Sequence, residues 1–124
     1  MRLWHEDMIH LLPRQQLLGQ HRECAALRGN GWNKKHETVN YVFEYNPYKL
    51  FQYHILIIKE MLNRGYKPDN LWLDPYYRGK SCEKYNEIDI IEQTKPIYKE
   101  HDDNYYIECV ENLKEKGIII KVDK

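Results

Sequence analysis

The stretch NPYKLFQYHILIIKEMLNRG, residues 46–65, decides the fold. Asn46 followed by Pro47 is typical of a helix start, because an Asn side chain caps free N–H groups and Pro fits the first helical position. Gly65 is the usual kind of residue just beyond a helix end. The residues that recur at steps of three and four are Leu50, Phe51, His54, Ile58, Met61 and Leu62. The pattern predicts a helix over 47–64, and residues 55–57 widen its apolar stripe, so we expect it at the centre of the core.

Two further helices follow from the same signals. One is predicted from about Pro13 to Arg28, where Gly29 ends it. The other is predicted over 103–116, with acidic residues at its start and Gly117 at its end. The segment TVNYVFEY, residues 38–45, alternates like a strand but has no strong strand to pair with, so we interpret it as an extended connection or a helical turn. Residues 67–99 are predicted to be loop-rich, and 118–122 a short extended tail.

Length and composition favour one domain over residues 1–124, of the all-α class, with three helices and long loops rich in Tyr and Pro. The chain has 124 residues, of which 42% are hydrophobic and 31% charged, as in ordinary globular proteins. Its longest apolar run is too short to cross a bilayer, and the charged amino terminus does not resemble a secretory leader. We therefore expect a cytoplasmic protein that binds no membrane.

Neither metal binding nor a disulfide framework is predicted. Cys24, Cys82 and Cys109 are widely spaced without a C-x-x-C motif, and the six histidines lack an i, i+4 pair. We expect no metal and no cofactor. The net charge of zero is uneven along the chain, because residues 1–80 carry an excess of four positive charges and residues 81–124 an excess of four negative charges. An anionic polymer would therefore contact the first two-thirds of the chain.

One polar cluster on the first predicted helix is arranged for chemistry. Glu23 shares a helix face with Gln16, Gly19 and Gln20, and its carboxylate leans back over Gly19, where a missing side chain leaves a notch for a ligand. Arg22 points elsewhere and is free to bind a phosphate. A second interpretation stays open, in which Gly19 allows close helix packing and Glu23 and Arg22 are solvated.

The loop after this helix contains parts suited to nucleic acid. Backbone N–H groups are exposed around Gly29 to Gly31, Trp32 can stack on a base, and Lys34 and Lys35 can bind phosphates. The alternative for Trp32 is an ordinary place in the core.

These residues resemble the pyrimidine-dimer DNA glycosylases, the family of the phage endonuclease V enzymes. The resemblance rests on MRL at the amino terminus, QQLLGQHRE, YKLFQYHILIIKEMLNRGY and YYRGK, in that order. It implies a mainly helical fold and an enzyme, a DNA glycosylase with AP-lyase activity, that acts on damaged double-stranded DNA. By the resemblance, the α-amine of Met1 is the nucleophile and forms an imine with the sugar, Glu23 is the acid/base, and Arg2 and Arg22 bind the flanking phosphates.

This chain departs from the family pattern in three ways. Arg2 is too bulky to permit removal of the initiator Met, so Met1 would itself supply the amine. The family's second arginine corresponds to Ala26, and Arg28 is the nearby residue that could replace it. The basic, aromatic tail of the phage enzyme has no counterpart. Two alternatives therefore stay open, a non-catalytic nucleic-acid or protein-binding module with the same fold and an AP lyase for another lesion.

Overall fold

The computed structural model describes residues 2–29 and 39–120. Within these ranges the chain forms three α-helices, α1 (Arg14–Arg28), α2 (Pro47–Asn63) and α3 (Asp103–Glu115), and three short 3₁₀ helices (Glu6–Leu11, Asn40–Glu44 and Asn70–Leu73). The described residues contain no β-strand. The predicted all-α class, with three helices and long connections, is confirmed.

Helix α2 begins and ends as its sequence predicts. The Asn46 side chain accepts a hydrogen bond from the N–H of Tyr48 at 2.9 Å, and Pro47 occupies the first turn. After the last turn, Gly65 adopts a φ of 87°, a left-handed conformation that favours glycine. Buried side chains of α2 join a hydrophobic cluster that also contains residues of α1 and α3. The central position expected for α2 is confirmed.

Helix α1 packs against α2 and carries the polar cluster. It follows Pro13, and the N–H of Gly29 closes its last turn on the carbonyls of Ala25 and Ala26. A side chain at position 29 would not fit, because an added Cβ would lie 2.8 Å from the carbonyl oxygen of Arg78. Gly29 therefore both ends α1 and allows the loop around Arg78 to approach it.

Helix α3 begins at a capping aspartate, as its acidic start predicts. Asp102 accepts a hydrogen bond from the N–H of Tyr105 at 2.8 Å. Beyond the end of α3, Gly117 has a φ of 82°. Tyr106, Cys109 and Leu113 are buried and pack α3 onto the shared cluster.

The connections contain more local structure than the sequence indicated. Residues 40–44 form a 3₁₀ helix, which agrees with a helical turn there. The 3₁₀ helices at Glu6–Leu11 and Asn70–Leu73 were not predicted, because so short a helix needs little apolar periodicity and relies on caps from His5 and Asp69. No helix in the described part of the chain is long and apolar enough to span a membrane.

Candidate active site

Glu23 lies in the middle of α1, half-buried, and it is not a freely solvated residue. One of its carboxylate oxygens accepts a hydrogen bond from the side-chain amide of Gln20 at 2.9 Å. Burial raises the pKa of Glu23 above its ordinary value, while the charges of Lys116 and Arg22 and the Gln20 hydrogen bond act in the opposite direction. A half-buried carboxyl group with a raised pKa is suited to accepting and returning a proton.

The Gln20 side chain joins Glu23 to the amino-terminal segment. Its NH₂ group also donates to the carbonyl of Arg2 at 3.1 Å, and its oxygen accepts from the N–H of Trp4 at 2.7 Å. The hydroxyl of Tyr53 lies 2.9 Å from the same oxygen. Because one nitrogen bonds to both, the carbonyl oxygen of Arg2 lies within about 6 Å of the Glu23 carboxylate.

Side chains from all three α-helices hold the backbone of residues 2–4. The three successive carbonyls each accept a hydrogen bond, that of Arg2 from Gln20 in α1, that of Leu3 from Tyr105 in α3, and that of Trp4 from Tyr53 in α2. The Leu3 and Trp4 side chains are themselves buried in the core. The backbone of residues 2–4 is therefore held by tertiary contacts, and the Arg2 carbonyl lies close to Glu23.

The two arginines predicted to bind phosphates lie in different surroundings. Arg2 donates to Glu108 at 2.7 Å and its guanidinium lies over the ring of Tyr105. Arg22 is exposed, and one of its terminal nitrogens lies 3.7 Å from the position of a Cβ built on Gly19. The predicted notch over Gly19 is thus bordered by the Arg22 guanidinium. An anion at this notch would meet Arg22 directly, whereas at Arg2 it would have to replace Glu108.

Arg28 is buried, which argues against the predicted DNA contact. Only 3% of the residue is exposed, and its guanidinium donates to the carbonyls of Trp72, Asp74 and Tyr77. It also lies over the rings of Phe51 and Trp72. Burial lowers the pKa of Arg28 to about 10, so it is still charged at neutral pH. Arg28 holds the loop after α2 against α1 and has no free donor face for a phosphate.

A pair of histidines continues this buried network and was not predicted from the sequence. Arg28 can only donate, so Nδ1 of His54 accepts its hydrogen bond at 3.0 Å and the His54 proton resides on Nε2. That nitrogen lies 2.8 Å from Nδ1 of His21, which accepts in turn. Burial lowers the pKa of His54 well below its ordinary value, and the charge of Arg28 lowers it further. The pair is therefore neutral and structural at neutral pH.

Four predicted site residues lie outside the described residues, namely Met1, Trp32, Lys34 and Lys35. Their neighbours in the chain are described. Arg2 is held beside Glu23, and Gly29, at the end of α1, touches the loop that contains Arg78 and the YYRGK motif. In residues 2–29 and 39–120, no group of three or more His, Cys, Asp or Glu side chains could hold a metal ion.

Comparison with known proteins identifies the family. No curated protein and no solved structure matched the chain. A family model described as pyrimidine dimer DNA glycosylase matches residues 1–74. The match covers more than half of the chain and contains Glu23, Gln20 and Tyr53, whereas α3 lies beyond it. The chain therefore belongs to the pyrimidine dimer DNA glycosylase family.

Proposed function

We propose that this protein removes a damaged base from double-stranded DNA and then cleaves the strand as an AP lyase. The family to which the chain belongs indicates a pyrimidine dimer as the lesion. The observation that carries the proposal is Glu23, half-buried and hydrogen-bonded to Gln20 within reach of the backbone of Arg2. One peptide bond, about 3.8 Å between Cα atoms, joins Arg2 to Met1. The amine of Met1 is therefore one residue away from backbone that lies close to the Glu23 carboxylate, which supports the proposal that both groups act in one site.

The α-amine of Met1 is the proposed nucleophile. An α-amine has an ordinary pKa of about 7.7 to 8.0, so a useful neutral fraction exists near pH 7, whereas a lysine amine is almost fully protonated there. Attack of the amine nitrogen on C1′ of the sugar breaks the bond to the damaged base. Loss of a proton from the nitrogen and opening of the sugar ring then give an imine.

Glu23 is the proposed acid/base. The imine makes the C2′ proton acidic, and the carboxylate removes it, so that the C3′–O bond breaks and the 3′ phosphate departs by β-elimination. A water molecule hydrolyses the imine and restores the free amine. The raised pKa of Glu23 suits it to hold the proton between these steps.

The proposed DNA contacts are Arg2, Arg22, Trp32, Lys34 and Lys35. Arg22 is exposed next to Glu23, and Arg2 would exchange its contact with Glu108 for a phosphate. Reaching C1′ requires distortion of the duplex around the lesion. We do not place Arg28 among the contacts, because its guanidinium is buried and bonded to backbone carbonyls.

Borohydride trapping tests the proposal. Protein whose first residue is Met1, mixed with duplex DNA that contains one abasic site, should give a covalent adduct whose digested peptide maps to Met1. The same protein with an acetylated amino terminus should fold equally well and give no adduct. An adduct that persists after acetylation would move the nucleophile to a side chain.

Substrate assays then separate the remaining functions. A duplex that contains a pyrimidine dimer should be cleaved as well as the abasic duplex. Cleavage of the abasic duplex alone would indicate an AP lyase for another lesion. No adduct from the unmodified protein would favour a non-catalytic binding module.

A further inference from the structure

The Gln20 side-chain amide has a partner for each of its hydrogen-bonding positions. The residue is 1% exposed. A backbone N–H can only donate, so Trp4 must face the amide oxygen, and a carbonyl can only accept, so Arg2 must face the NH₂ group. The orientation of the amide is therefore set by its partners, and its second N–H hydrogen is directed to Glu23.

The Gln20 amide makes the hydrogen bonds that a neighbouring β-strand would make to the backbone of Arg2 and Trp4. An adjacent β-strand would offer one carbonyl to the N–H of Trp4 and one N–H to the carbonyl of Arg2. Among residues 2–29 and 39–120 no strand does so, and the Gln20 amide supplies both groups from a helix. Since the same NH₂ group also binds Glu23, the amide fixes the carboxylate relative to the amino-terminal backbone.

We propose that Gln20 is a positioning residue for strand cleavage, one that holds the backbone leading to the amino-terminal amine at a fixed separation from the Glu23 carboxylate. This inference rests on the function proposed above. A shift of about 1 Å between reacting groups can cost roughly 100-fold in rate, so a single amide that bonds to both sides has a large effect on the reaction.

The Gln20 hydrogen bond also acts on the protonation of Glu23. A donated N–H favours the ionised carboxylate, which is the form that accepts the C2′ proton, whereas burial disfavours it. Removing the donor should therefore raise the pKa of Glu23 further. The pH dependence of cleavage reports this change, and a residue that served only the fold would not alter it.

The main variant is Gln20→Glu, which keeps an acceptor for Trp4 and replaces the NH₂ group by an oxygen that faces Glu23. Gln52→Glu is the matched control, because Gln52 is also a buried glutamine, but it lies in α2 and its NH₂ donates to the carbonyl of Ile91 at 3.0 Å. Single-turnover cleavage of an abasic duplex is measured from pH 5 to pH 9, together with DNA affinity and the thermal midpoint of unfolding.

We expect the cleavage rate of Gln20→Glu at pH 7 to fall by about 10- to 100-fold. The rising part of its plot of cleavage rate against pH should move to higher pH. Its DNA affinity should stay within about threefold of the wild-type value. Gln52→Glu should keep the wild-type pH profile. Gln20→Met, whose side chain is uncharged and of similar length, should move the rising part of the pH–rate plot in the same direction. A folded Gln20 variant with the wild-type rate and profile would overturn the inference.

Two further outcomes have defined meanings. If the wild-type protein forms no borohydride adduct and cleaves no abasic duplex, the proposed function is overturned and the role of Gln20 is overturned with it. If neither Gln20 variant folds, NMR of the wild-type protein decides. The Gln20 side-chain NH₂ signal should titrate with the same midpoint as cleavage, and a signal that does not follow this midpoint would contradict the inference.

Discussion

Glu23 lies on the helix face that also carries the buried Gln20, and its own side chain is half-buried. Its hydrogen-bond partner Gln20 also bonds to the backbone of Arg2 and Trp4, which lie some 20 positions from Glu23 in the chain. Burial raises the pKa of Glu23, so ionisation of this side chain lowers the stability of the folded state. Such a cost at one residue is common where a group is retained for chemistry.

The Glu23→Gln substitution tests both chemistry and stability. We expect strand cleavage to fall by about 10²- to 10⁴-fold, because the amide cannot take the C2′ proton. The folded state binds more protons than the unfolded chain between the ordinary and raised pKa values of Glu23, so wild-type stability falls as pH rises through that window. The variant should therefore gain stability relative to wild type on going from acid to neutral pH, as measured by urea unfolding at each pH.

A matched control for this prediction is Glu111→Gln, which removes an exposed carboxylate of α3. It should leave the cleavage rate unchanged. Wild-type cleavage by Glu23→Gln would remove Glu23 from the mechanism.

Arg28→Lys tests whether Arg28 is structural. A lysine retains the charge but cannot donate to three carbonyls and His54 at once, so we expect the free energy of unfolding to fall by about 2 to 4 kcal/mol. Urea denaturation at pH 7 measures the change. Arg14→Lys, at an exposed position of the same helix, should change it by less than about 0.5 kcal/mol. Unchanged stability with weakened DNA binding would instead return Arg28 to the DNA interface.

At the scale of an element, α1 combines a glycine with an exposed arginine one turn later. The Arg22 side chain leans back over Gly19, as helical side chains do. A Cβ added to Gly19 would lie at an ordinary van der Waals distance from the Arg22 guanidinium, so a methyl group would fit there. The glycine is therefore not required by packing within the described residues. Its presence in a helix interior instead lowers helix stability by about 1 kcal/mol relative to alanine.

Gly19→Ala should stabilise the protein by about 0.5 to 1 kcal/mol and impair cleavage, because the methyl group fills the open position beside the Arg22 guanidinium. Thermal unfolding and single-turnover kinetics measure the two effects. Gly65→Ala is the contrasting control, since its φ of 87° makes alanine strained there, and it should lose stability and keep its activity per folded molecule. Full activity of Gly19→Ala would show that the substrate does not enter by the notch.

At the scale of the whole molecule, the positive and negative charges are divided along the chain. Residues 1–80 carry the basic excess and also contain Glu23, Lys34 and Lys35, whereas residues 81–124 are acidic. Helix α3 nonetheless contributes to the site, because Tyr105 holds Leu3 and Glu108 pairs with Arg2. The family match ends at residue 74, so these α3 contacts are features of this chain beyond that match.

The uneven distribution of charge predicts which lysines contribute to the salt dependence of DNA binding. Replacing Lys34 and Lys35 by alanine should reduce the slope of log K against log salt by about 0.9 for each lost phosphate contact. Replacing Lys99 and Lys114, exposed lysines of the acidic part, should leave the slope unchanged. Fluorescence anisotropy with an abasic duplex at several salt concentrations measures both. Equal slopes for the two double variants would exclude Lys34 and Lys35 as phosphate contacts.

The sequence by itself determined the three α-helices of this protein, because caps, glycines and apolar spacing act within a few residues. Asn46, Gly65, Asp102 and Gly117 set helix ends that the structure reproduces to within about one residue. It also showed that Gln20 and Glu23 share a face, since residues three apart on a helix are neighbours.

Only the tertiary structure decided what surrounds that face. The partners of Gln20 outside α1 come from residues 2–4 and from α2, and the carbonyls bonded to Arg28 lie more than 40 positions along the chain. Burial and pKa depend on these distant contacts, whereas helix formation depends mostly on local ones. The same long-range packing buried Arg28 and brought the backbone of Arg2 close to Glu23.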